Sequence, residues 1–148
     1  MRPTELASFE GSLHTTNLWL KKLMDKLGED DRQRAYRALR AVLHALRDRL
    51  SVNEAAALGA QLPMLVRGFY YEGWHPANKP LKERRKEEFL AHVADAFWNV
   101  PGIDPERVAR SVLELLAEQV TAGEIERIKH VLPPDIRSLW PATAPTHA

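Results

Sequence analysis

Cysteine is absent from the 148 residues. That excludes disulfides, thiolate metal sites and thiol nucleophiles, and it fits a reducing cytoplasm. No stretch approaches the roughly 18 apolar residues that a membrane helix needs. Met1 to Gly11 lacks the apolar core of a secretory signal. A cytoplasmic protein without membrane contact is therefore expected. A dominant charge is missing too: 21 Lys and Arg stand against 20 Asp and Glu. No global field draws the chain to nucleic acid or to an anionic membrane. Glycines number seven and are scattered, with no phosphate-cradling loop and no Gly-x-Ser-x-Gly. No alternating run reads as a strand. What is present is 45% hydrophobic residues and four tryptophans, which argues against disorder. A chain of this size buries roughly 68–70% of its unfolded surface and needs no covalent staple.

The strongest internal signal is repetition. Val42-Leu43, Leu46, Ser51, Glu54, Leu58, Leu62-Pro63, Val66, Arg67 and Tyr70 recur seventy residues later without a gap. Their counterparts are Val112-Leu113, Leu116, Thr121, Glu124, Ile128, Leu132-Pro133, Ile136, Arg137 and Trp140. A fixed period means one supersecondary unit used twice. Residues shared by both copies serve the unit's fold first, because catalysis rarely needs two copies of a site.

Helical spacing fills both copies. Leu13, Leu20, Leu23, Met24 and Leu27 share a face that Gly28 ends, with Trp19 at its edge. A helix from about Asp31 to Arg49 turns Ala35, Leu39, Val42, Leu43 and Leu46 inward. Ser51 to Glu54 and Thr121 to Glu124 read as capping boxes. Pro63 and Pro133 are expected at the first position of short helices. Phe89, Leu90, Val93, Ala96 and Phe97 open the second unit, and Asp104-Pro105 starts its next helix. The fold class is all-α: two tandem helical units of about 70 residues in one compact two-lobed bundle. The expected organisation is a flexible segment 1–12, a first repeat 13–72, a connector 73–83, a second repeat 84–141 and a flexible tail 142–148. The expected interior holds Leu39, Val42, Leu43, Leu46, Leu58, Val112, Leu113, Leu116 and Ile128.

The run from Ala35 to Leu50, then Glu54-Ala55 and Gln61-Leu-Pro through Gly73-Trp74, resembles the uncharacterised bacterial family known as domain of unknown function 2267. Thr16 to Leu20 is similar to that family's opening segment. Gly123-Glu124 and Leu132 to Trp140 are similar to its closing segment. The resemblance spans Leu13 to Pro141 and implies a small all-helical bacterial cytoplasmic protein. It also implies a stress-associated genomic setting, which is association and not mechanism. It supplies no catalytic residues.

Candidate chemistry is sparse. None of the six histidines (His14, His44, His75, His92, His130, His147) stands in a metal-ligand spacing. The acid pairs Glu87-Glu88 and Glu29 to Asp31 lie in surface-like runs, whereas paired-acid catalysis needs two acids in different environments facing one cleft. No cofactor, metal or catalytic residue is expected, and an enzyme with an inter-lobe site is the third reading. Arg32 to Leu50 carries six Arg and one Asp, while Pro101 to Trp140 is net acidic. Arg37, Arg40, His44 and Arg47 form one stripe that could hold an anion or nucleic acid. The alternative is a solvated face with internal or partner carboxylates. The stripe is short, and no stacking aromatics are expected beside it. Arg67 recurs as Arg137, which points to bracing of helix ends or a carboxylate pair, against symmetric ligand contacts. Tyr70, Tyr71 and Trp74 cannot share one face, so some pack on the connector or meet a partner. The leading expectation is a non-catalytic helical interaction or scaffold module that binds a protein partner or itself. Nucleic-acid or anion binding through the Arg face is the second.

Overall fold

A computed structural model describes residues 3–142, with side chains from Leu6 onward. Eight helices follow one another among the described residues, with no strand: α1 (Pro3–Leu27), α2 (Arg32–Arg47), α3 (Val52–Ala60), α4 (Met64–Tyr71), α5 (Lys86–Asp95), α6 (Pro105–Gln119), α7 (Ala122–Val131) and α8 (Pro134–Arg137). The expected all-α class is what the chain adopts.

Short polar residues start the long helices. Asp31 accepts from the Gln33 amide at 2.8 Å, and Asp104 accepts from the Glu106 and Arg107 amides at 3.1 and 3.3 Å. Each satisfies a backbone donor that the first helical turn leaves open. Gly28, at φ 64°, stops α1. Its left-handed backbone lets the Glu29 amide reach back to the Met24 carbonyl at 3.0 Å.

The centre is α1, α2, α5 and α6. α1 packs on α2 and α6, α2 packs on α5 and α6, and α5 packs on α6. α4 lies against α1 and α2, α7 against α6 and α3, and α8 against α5. All nine expected interior residues are buried, together with Leu23, Leu50, Tyr70, Phe89, Leu115 and Ile136. Each buried leucine contributes about 1.5–3 kcal/mol by leaving water.

Several expectations are corrected. The first helix begins at Pro3 and not near Leu13, so residues 3–12 are helical. Leu13, expected on the apolar face of this helix, is exposed, and Trp19, expected at the edge of that face, is buried. Pro63 and Pro133 are the N-caps of α4 and α8, one residue earlier than expected. Ser51 caps α3 by accepting from the Glu54 amide at 3.2 Å. Thr121 caps nothing with its side chain. Gln61, at the end of α3, reaches across and takes both the Thr121 amide and hydroxyl at 3.1 Å. Glu124 is buried and paired with Arg127 at 2.8 Å, so it does not reach back to Thr121.

Candidate functional site

The basic side of α2 carries four of the eight expected site residues, Arg37, Arg40, His44 and Arg47. α4 ends against it. The last carbonyls of a helix lack partners and carry partial negative charge. The α2 side chains meet them. His44 donates its Nε2 hydrogen to the Phe69 carbonyl at 2.6 Å. Arg47 donates to the Tyr70 and Glu72 carbonyls at 2.6 and 2.9 Å, and its Nε reaches Asp48 at 2.9 Å. Arg47 is buried by this arrangement. Burial pushes the His44 pKa below its ordinary value; the Phe69 carbonyl opposes the shift, and the Arg47 and Arg40 charges add to it.

The upper half of the stripe faces α5. Arg37 donates to the Ala96 carbonyl at 2.6 Å and to Asn99 at 2.8 Å, and it lies 5.2 Å from the centre of the Phe97 ring. Arg40 reaches Glu72 at 3.5 Å and stays half-exposed. Between them opens a concavity of about 400 Å³ whose lining includes Tyr36, Arg37, Arg40, Glu72, Asp95 and Trp98. Trp98 is 84% exposed. Aromatics do stand beside the arginines, which corrects the expectation from sequence. They arrive from α2 itself and from the turn after α5.

The aromatic cluster lies mostly inside. Tyr70 is fully buried and donates its hydroxyl to the Ala55 carbonyl at 2.7 Å. Burial raises its pKa strongly. Tyr71 packs edge-on against Tyr70 and tilted against Trp74, with ring centres 4.9 and 5.4 Å apart. The Tyr71 phenol crosses Gly59 so closely that any Cβ there would collide with it. Of the tentative contact residues, Tyr70 and Arg47 are both buried.

Arg67 and Arg137 do the same work seventy residues apart. Arg67 donates to the carbonyls of Gly59, Ala60 and Leu62 at 2.8, 3.3 and 2.9 Å. Arg137 donates to those of Lys129, His130 and Leu132 at 2.7, 3.4 and 2.9 Å. Each guanidinium closes the end of the preceding helix.

One ionic cluster was not legible beforehand. Arg49 is buried, 5.1 Å from the Phe89 ring centre, with its Nη2 2.5 Å from Glu83. His92 meets the same Glu83 oxygen at 3.1 Å. Burial lowers the Arg49 pKa and Glu83 opposes that. The Leu81 amide also donates to the Asp48 carbonyl at 2.8 Å, so the connector is fastened to the end of α2. Among the described residues, no three His, Asp or Glu side chains gather where they could hold a metal ion. No helix there is long and apolar enough to cross a membrane.

The remaining feature is on α1. Leu6, Phe9, Leu13, Thr16, Leu20, Leu23 and Leu27 alternate in steps of three and four. That is the spacing of a helix seam that packs on another helix. From Thr16 to Leu23 the seam is buried in the bundle. Above it, Leu6, Phe9 and Leu13 are 44%, 53% and 48% exposed. The body reaches α1 no higher than about Ser12, whose hydroxyl accepts from the Leu65 amide at 3.2 Å where α4 begins. Met64, next to that contact, is also exposed. The signal was present in the sequence, since the steps run unbroken from Leu6.

A comparison with curated proteins finds no match. A family model described as an uncharacterized conserved protein, DUF2267, matches residues 16–139. That stretch opens within α1, at the residue where the seam becomes buried, and closes after α8. The chain belongs to the DUF2267 family.

Proposed function

We propose that this protein is a non-catalytic helical interaction module, working through a protein partner or through itself in a bacterial stress or regulatory setting. The observation that carries the reading is the apolar seam of α1 that outruns the body at Leu6, Phe9 and Leu13. A helix seam left bare over two turns stabilises nothing in its own chain and is a ready surface for association. Two facts support it. Shifting by seventy turns residues 16–25 of α1 into α5, whereas 3–15 fall on 73–85, which lie between α4 and α5 and form no helix. The repeated unit therefore does not require the first half of α1. That half also lies outside the residues matched by the family model.

The second reading is anion or nucleic-acid binding at the concavity that includes Arg40 and Trp98. The exposed indole beside a half-exposed guanidinium favours it, since bases stack on such side chains. Glu72 and Asp95 in the same lining oppose it. One experiment separates the two. Wild type, a Phe9→Glu/Leu13→Glu variant and an Arg40→Ala/Trp98→Ala variant are used as bait in native cytoplasm, with and without nuclease. The expected result is protein association, insensitive to nuclease, that only the α1 variant loses. Binding that vanishes with nuclease, falls steeply with salt and is lost only in the Arg40/Trp98 variant would move the account to the second reading.

A further inference from the structure

We infer that the bare seam of α1 is covered by the same seam of a second copy, the two helices running antiparallel about a twofold axis near Phe9. This rests on the interaction reading and names its occupant. Leu6, Phe9 and Leu13 form a pattern with leucine on either side of a central phenylalanine. Reversing its direction leaves the order of side chains unchanged. An antiparallel pair therefore sets Leu6 of one copy against Leu13 of the other, twice, with the two Phe9 rings meeting at the axis. That is the self-complementarity a twofold interface requires.

Direction follows from the surroundings. α4 meets α1 at Ser12, so the body sits at one end of the bare segment. A parallel pair would bring both bodies to the same level and align the helix dipoles. An antiparallel pair places the bodies at opposite ends and opposes the dipoles.

Other occupants fit less well. The downstream stretch Thr143-Ala-Pro-Thr-His-Ala148 offers no large apolar side chain to fill the seam. A lipid surface wants a basic flank. The segment 6–15 has Glu10 and His14 and neither Lys nor Arg. The area also sets the kind of complex. Three or four half-exposed large side chains per copy give roughly 600–800 Å² of apolar surface for the pair, below the roughly 1,200 Å² of stable specific interfaces and in the range of weak, transient ones. The dimer is accordingly reversible and concentration-dependent.

The absence of native cysteine makes the test clean. Full-length wild type and Phe9→Glu are compared by sedimentation velocity over a wide concentration range. Wild type should pass from monomer to dimer; Phe9→Glu should stay monomeric with an unchanged helical circular dichroism spectrum. Under oxidation, Phe9→Cys should cross-link. A mixture of Leu6→Cys and Leu13→Cys chains should cross-link, whereas Leu6→Cys alone should not. In the antiparallel pair the two copies of position 6 lie about 10 Å apart along the axis, beyond the roughly 7 Å Cα reach of a disulfide. Efficient cross-linking of Leu6→Cys alone would overturn the antiparallel pair. A wild type that stays monomeric throughout would overturn self-pairing. If that monomer still loses a captured partner on Phe9→Glu, the interaction reading stands without it; if Phe9→Glu changes neither, both fall.

Discussion

At the scale of single residues, one side-chain type does several unrelated jobs. Arg47 closes the end of α4, Arg49 pins the connector through Glu83, Arg67 and Arg137 close α3 and α7, and Arg40 is left half in solvent. A helical wheel cannot distinguish these. Arg37, Arg40, His44 and Arg47 share a stripe in the sequence, and what separates them is where a remote helix ends. Arg67 and Arg137 were more legible, because a residue kept in both repeats points to the unit's own architecture. His44 gives a residue-scale prediction. Its pKa is lowered in the fold, so the unfolded chain takes up the proton first. The stability it contributes is full above its ordinary pKa of about 6.5 and is lost as pH falls through the lowered folded value. The melting temperature of wild type should therefore drop more between about pH 7.5 and pH 5 than that of His44→Gln. Equal drops would show that His44 is not held neutral against the Phe69 carbonyl.

At the scale of elements, the long helices and their starts followed from short-range chemistry. Asp31 and Asp104 cap because their side chains reach amides two or three residues ahead, which any local reading can see. Thr121 looked equivalent to Ser51, yet Gln61 from another helix claims it. Long-range competition of this kind leaves no local trace. The two positions should therefore respond differently to alanine. Ser51→Ala should cost about 0.5–2 kcal/mol through loss of a cap. The expected cost of Thr121→Ala is smaller, about 0.5–1 kcal/mol, because only one exposed hydrogen bond goes and the Thr121 amide keeps Gln61. Chemical denaturation of both variants checks this; equal losses would mean that Thr121 also caps α7. The early start of α1 was missed for another reason. Gly11 lowers helix propensity there and chain ends are expected to fray, so the Leu6, Phe9 and Leu13 steps carry little weight as a helix in the sequence alone.

At the scale of the whole molecule, the interior was readable and the surface was not. Leu39, Leu43, Leu46, Val112, Leu113 and Leu116 announce themselves by period alone, and all are buried. Function depends instead on what the fold leaves uncovered. Leu13 shares its helical spacing with Leu20 and Leu23; only the height of the body on α1 shows that it is bare. Trp98 became a neighbour of Arg37 and Arg40 only when α5 packed on α2. The central claim is that association uses the first half of α1. Amide hydrogen exchange reads this directly, comparing dilute protein with concentrated protein and with the complex captured from native cytoplasm. The account predicts that exchange slows over residues 3–15 while the Arg40 and Trp98 face is unchanged. Protection confined to that face, with the first half of α1 exchanging as freely as in the dilute chain, would contradict it.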